Sequence, residues 1–150
     1  MLIKGFQKTT LLDYPGKLAS IVFTGGCNLR CPYCQNSELA FNFMPDNGDR
    51  EPSPVSEDEV LDHLKKRRGM LEGLVITGGE PTLQKDLPDF IKKVRSLGLL
   101  IKLDTNGTNP SLKKIQKKYN LTISVFGCMI PVYDIIRGSR ADEDAQSVKA

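Results

Sequence analysis

Ala19-Ser20-Ile21-Val22-Phe23-Thr24-Gly25-Gly26-Cys27-Asn28-Leu29-Arg30-Cys31-Pro32-Tyr33-Cys34 is the stretch on which the fold turns. Its first six residues form a short apolar run bounded by glycines, which reads as a buried strand. A loop carrying three cysteines follows at once. The same order of strand, distinctive loop and helix returns downstream. Leu74-Val75-Ile76-Thr77 reads as a second strand and empties into Gly78-Gly79-Glu80-Pro81. Leu99 to Leu103 reads as a third and empties into Asp104-Thr105-Asn106-Gly107-Thr108, and Leu121 to Phe126 can form a fourth.

Helices are expected between these strands. Ser56 followed by Glu59 has the pattern of a capping box, Val60, Leu61 and Leu64 supply an apolar face, and Gly69 is a natural stop. Phe90, Ile91, Val94 and Leu97 fall at helical spacing over Leu87 to Leu97, with Gly98 closing the helix. A third helix is expected from Ser111 to Tyr119, with Leu112 and Ile115 inward. Residues 2–18 read as a short extended segment with a turn at Tyr14-Pro15-Gly16. Phe43 to Pro54 reads as a loop, and the polar stretch from Gly138 to Ala150 as a loose tail. Strands alternating with helices imply a parallel sheet with right-handed crossovers. Parallel strands share one C-terminal rim, where α/β folds bind ligands, so the three strand-end segments are expected to converge there.

The bulk properties narrow the classes. The chain has 150 residues, enough for one domain burying about 70% of its unfolded surface. Its net charge of +3 is mild. The basic groups Lys65-Lys66-Arg67-Arg68 and Lys113, Lys114, Lys117 and Lys118 lie on expected helices with no aromatics among them. That favours solvated faces over nucleic-acid binding. No signal peptide is read at the N-terminus and no apolar run approaches about 18 residues. The expectation is a soluble cytoplasmic protein, in which closely spaced cysteines suggest metal or redox work before disulfides.

Cys27, Cys31 and Cys34 have the spacing C-x3-C-x2-C. A [4Fe–4S] cluster usually takes four thiolates; three leave one iron open for a small molecule. Two other readings stand beside this one. A structural zinc module needs a fourth ligand, for which His63 and Cys128 are the candidates. Cys31-Pro32-Tyr33-Cys34 can also be read as a thioredoxin-like redox pair, although Cys27 and the glycine-rich second motif argue against it. Each strand-end motif has a plain structural reading as well. Gly78 to Pro81 can be a turn, Glu80 a surface charge, Tyr33 a packing aromatic, Asp104 a cap and Asn106-Gly107 a turn dipeptide.

Taken together, a C-x3-C-x2-C loop after one strand and Gly-Gly-Glu-Pro after the next resemble the radical S-adenosylmethionine (SAM) superfamily. Gly5 to Lys17 and Phe23 to Asn36 narrow the likeness to activating proteins of anaerobic ribonucleoside-triphosphate reductase, a branch of the glycyl-radical-enzyme activases. The resemblance covers about residues 3–119. It implies an α/β fold, a partial (β/α) barrel of the radical SAM type with parallel strands, filling residues 1–150 as a single core domain. It implies a [4Fe–4S] cluster on Cys27, Cys31 and Cys34. It also implies SAM along Gly78, Gly79 and Glu80, with Tyr33 near the adenine and Asp104, Thr105 and Asn106 near the carboxylate or a monovalent cation. The implied reaction is reductive cleavage of SAM to methionine and a 5′-deoxyadenosyl radical, which takes hydrogen from a glycine of a partner glycyl radical enzyme. The implied electron donor is a flavodoxin or ferredoxin.

After Asn120 the likeness fades. Relatives continue with a strand of the Met-Asp-Ile-Lys sort and run to about six strand–helix units. Here Ile123-Ser124-Val125-Phe126-Gly127-Cys128-Met129-Ile130-Pro131 follows, with room for about four units. A truncated, catalytically inactive radical SAM fragment is therefore the second alternative beside the zinc module.

Overall fold

In the computed structural model, residues 1–41 and 55–126 are described. The loop expected at 43–54, the tail at 138–150 and Cys128 lie outside the described residues. Five strands form one sheet in sequence order: β1 (Ile3–Thr10), β2 (Ala19–Thr24), β3 (Gly73–Gly78), β4 (Leu100–Thr105) and β5 (Thr122–Val125). β2 to β5 are parallel, as the alternation predicts. The connecting helices are α1 (Ser37–Phe41), α2 (Glu57–Lys66), α3 (Leu87–Ser96) and α4 (Leu112–Tyr119).

The expected extended segment at the N-terminus becomes a strand. β1 pairs antiparallel with β2 at the sheet edge, with register shifts between Ile3 and Gly5 and between Gln7 and Thr10. Its outer half, Gln7-Lys8-Thr9, is exposed, which suits an edge better than a sheet centre. The turn after it folds as expected, the Lys17 amide donating to the Tyr14 carbonyl at 3.0 Å.

The strand pleat sorts residues onto two faces. Val22, Leu74, Ile76, Ile101 and Leu103 pack with Val60, Leu61 and Leu64 of α2 and with Phe90, Ile91 and Val94 of α3. Leu112 of α4 joins the same core. Each fully buried side chain of this size contributes about 1.5–3 kcal/mol relative to exposure. Ser56 caps α2 as predicted, accepting from the Glu59 amide at 3.1 Å.

The opposite face carries Ala19, Ile21, Phe23 and Val75 and is covered in part by Tyr14. The Tyr14 hydroxyl reaches Thr122 Oγ1 on β5 at 3.0 Å, so the loop after β1 crosses beneath this face. Helices on one side and a concave, partly polar face on the other are the arrangement of a partial (β/α) barrel. The basic clusters of α2 and α4 are exposed, as solvated faces. No helix among the described residues is long and apolar enough to cross a membrane.

Candidate functional site

The three strand-end segments meet. A cavity of about 540 Å³ is lined by Cys27, Cys31 and Cys34, by Gly78 and Gly79, and by Asp104, Thr105 and Asn106. Tyr33 also lines it and is 69% exposed, standing at the mouth. The volume is in the range of small-molecule sites.

The convergence has a backbone cause. Gly79 N–H donates to the Thr24 carbonyl and Glu80 N–H to the Gly26 carbonyl, both at 2.8 Å. The end of β3 is thereby fastened to the chain entering the cysteine loop. Gly78 has φ +110°, outside the range side chains readily adopt, and a Cβ there would lie 2.4 Å from Thr24 backbone atoms. The two glycines thus let one strand end press against the next. On the far side of the loop, Gly26 N–H donates to the Leu39 carbonyl of α1 at 2.9 Å.

Glu80 occupies an unexpected place. Its side chain is fully buried and does not line the cavity. One carboxyl oxygen accepts from Thr105 Oγ1 at 2.7 Å, from the Thr82 amide at 3.0 Å and from the Thr82 hydroxyl. The other accepts from the Asn106 amide at 2.6 Å. Glu80 therefore braces the end of β4 against the end of β3 from behind the wall, instead of standing on it.

Asp104 lines the cavity and pairs with Lys102. Residues i and i+2 of a strand share a face, so both project to the concave side. Their side chains are only 14% and 8% exposed. The ammonium lies 5.9 Å from the ring centroid of Phe126. Burial pushes the Asp104 carboxyl up; Lys102 draws it back, Asp13 adds to the rise and Thr77 offsets a little. Because the folded group holds its proton more tightly than the unfolded one, its contribution to stability falls as pH rises through the raised value. Lys102→Met should therefore cost about 3 kcal/mol at pH near 8, where it leaves a buried charge without a cation. That loss should shrink as the pH is lowered, because the folded variant then takes up a proton at this carboxyl. Urea titrations across pH check this, and a pH-independent loss would refute it.

Asp13, Phe23, Thr77 and Phe126 also line the cavity and were not singled out in the sequence. Asp13 arrives from the loop after β1, a placement that no local pattern signals. Gln35 and Asn36 line it too and follow Cys34 directly, so adjacency to the motif was their available signal.

The zinc reading named His63 and Cys128 as fourth ligands, and Cys128 lies outside the described residues. Among the described residues no three His, Cys, Asp or Glu side chains converge on a position for one metal ion, and no disulfide joins the three cysteines. His63 sits on α2, edge-on to Phe6 with centroids 5.2 Å apart and with Nε2 3.3 Å from the Lys8 carbonyl oxygen. It does not line the cysteine cavity. Cys31 and Cys34 are joined by a turn, the Cys34 amide donating to the Cys31 carbonyl at 3.1 Å.

Comparison with known proteins adds a family. The radical SAM superfamily profile matches residues 21–133. A Methanocaldococcus jannaschii protein named as a glycyl-radical enzyme activating enzyme is 34% identical over 112 residues, covering 74% of this chain and 42% of that one. The 7-carboxy-7-deazaguanine synthase of Hyperthermus butylicus is 33% identical over 99 residues, covering 65% and 38%. The crystal structure of QueE from Escherichia coli superposes with a TM-score of 0.62 at 18% identity, covering 86% of this chain and 60% of that one. The chain spans about two fifths of the length of these two curated relatives.

Proposed function

The chain belongs to the radical SAM superfamily, and from that premise we propose that it is a glycyl-radical-enzyme activase acting on a partner such as anaerobic ribonucleotide reductase. The observation that carries the reading is the convergence of Cys27, Cys31 and Cys34 with the ends of β3 and β4 on one cavity. The family's cofactors are a [4Fe–4S] cluster and SAM. The donor set fits them: three thiols on one loop, at a wall of backbone and short polar side chains, with room for a small molecule. When bound, the pair supplies one-electron reductive cleavage of SAM.

In this proposal Cys27, Cys31 and Cys34 hold three irons. Gly78 and Gly79 lie along the methionyl end of SAM. The backbone N–H groups of Gly79 and Glu80 are engaged by Thr24 and Gly26, so a ligand ammonium meets a segment whose donors are already occupied. Tyr33, at the mouth, packs against the adenine. Asp104, Thr105 and Asn106 form the wall facing the carboxylate end, and Glu80 keeps that wall in place from behind. Phe126 and Tyr33 are both largely exposed beside the cavity and offer apolar surface to an incoming peptide. We propose residues 1–150 as one core domain, with a flavodoxin or ferredoxin as electron donor.

The glycyl partner is the finer part of the proposal, since the relatives include both a named activating enzyme and a named synthase. The test is anaerobic reconstitution with iron and sulfide, reduction with dithionite, and an assay for 5′-deoxyadenosine and methionine. The partner assay follows on the same sample: a glycyl radical EPR doublet on co-incubated anaerobic ribonucleotide reductase. SAM cleavage with the doublet is the expected result. Cleavage without it confines the chain to radical SAM chemistry on another substrate. Stoichiometric zinc with no cluster overturns the reading.

A further inference from the structure

Asn106 is 8% exposed and its amide lies between the cysteine loop and the end of β4. Its Oδ1 accepts from the Thr108 amide at 3.0 Å and from Thr108 Oγ1 at 2.7 Å. Its Nδ2 donates to Asn28 Oδ1 at 2.8 Å and faces Cys27 Sγ at 3.7 Å. Asn28 closes the ring by donating from Nδ2 to Thr108 Oγ1 at 2.9 Å.

This network decides the amide orientation, which heavy-atom positions alone leave open. A flipped amide would set its NH2 against the Thr108 N–H and its oxygen against Asn28 Oδ1 and the sulfur. The observed sense is the one that satisfies every partner, and it points an N–H at Cys27. The backbone of Asn106 is itself held by Glu80 at 2.6 Å. The donor is therefore held in place from β3 and β4 as well as from the cysteine loop. The Leu29 amide is a second donor to the same sulfur, at 3.4 Å.

We propose that Asn106 is a positioning residue that sets the reduction potential of the cluster through its hydrogen bond to Cys27 Sγ, an inference that rests on the cluster assignment above. Hydrogen bonds to cluster sulfurs are among the determinants of iron–sulfur potentials. Reduction adds negative charge that is shared by the thiolate sulfurs. A fixed N–H stabilises that form more than the oxidised one, so losing it makes the cluster harder to reduce. The electron comes from an external donor, and no bond within the protein forms or breaks.

The experiment is an EPR-monitored redox titration of the reconstituted full chain, comparing the parent with Asn106→Leu and Asn106→Asp. Leucine removes the donor. Aspartate retains an acceptor for Thr108 but turns an oxygen towards the sulfur. The expected result is a shift of about tenfold in the reduction equilibrium for Asn106→Leu, about 59 mV more negative for a one-electron couple. A larger shift in the same direction is expected for Asn106→Asp. Unchanged potentials at full iron and sulfide content overturn the inference. If neither variant holds a cluster, pulsed EPR of the reduced parent labelled with 15N-asparagine decides: hyperfine coupling to an asparagine side-chain nitrogen supports it and its absence refutes it. A parent chain that takes up no cluster overturns the underlying reading, whereas a parent cluster indifferent to Asn106 overturns this inference alone.

Discussion

Cys31→Ala abolishes iron and sulfide uptake on anaerobic reconstitution and leaves the fold standing. The expectation rests on where the side chain sits. Cys31 is half-exposed on the loop after β2, outside both hydrophobic clusters. Its backbone carbonyl accepts from Cys34 and is kept in the variant. Folding stability should therefore change by less than about 1 kcal/mol, as at surface sites away from packing. The cluster, in contrast, would keep only two of its three protein thiolates, and visible absorbance, EPR signal and 5′-deoxyadenosine formation should all disappear. Far-UV circular dichroism and a urea midpoint verify the fold, and iron and sulfide analysis verify the loss. A variant that reconstitutes like the parent would defeat the assignment of this loop.

Gly79→Ala gives the second large effect, for the opposite reason. A Cβ at Gly79 would stand 2.1 Å from the Gly26 carbonyl oxygen and 2.7 Å from its carbon, both backbone atoms. Gly26 cannot retreat easily, because its carbonyl accepts from Glu80 and its amide is bonded to Leu39. Inserting a methyl into such a contact costs about 3 kcal/mol or more. The displaced segment carries the cysteine loop, so cluster uptake should fall with stability. Gly69→Ala is the informative control. Gly69 has φ +87° with nothing within 4 Å of the added atom, so its cost should stay at about 1–2 kcal/mol from conformation alone. Equal losses for the two variants would show that close approach at Gly79 is not what joins β3 to the loop.

Cys31 and Gly79 both lie in motifs visible in the sequence, yet the physical reason for each effect is visible there to a different degree. The thiol loop, the paired glycines and Asp104-Thr105-Asn106 are short segments, each following an apolar run. Strand and loop are neighbours in the chain, so local pattern suffices to locate them. Helix faces such as Phe90, Ile91 and Val94 are legible for the same reason, since 3.6-residue spacing is a local property. β1 was legible only as extended, because its pairing with β2 is antiparallel, bulged and polar along half its length. Lys102 belongs to no motif, although its spacing of two from Asp104 puts both on one face of β4.

Glu80 and Asn106 mark the boundary between the two kinds of information. By itself the sequence determined the alternation of strands and helices, the parallel sheet, and which three segments stand at the strand ends. It could not tell that Glu80 lies behind the cavity wall or that Asn106 presents an N–H to Cys27. Those assignments depend on donors and acceptors separated by 26 and 79 positions in the chain. Such partners become neighbours only when β2, β3 and β4 lie side by side. A buried carboxyl group is tolerated only where donors are brought to meet it, and the sheet alone brings them.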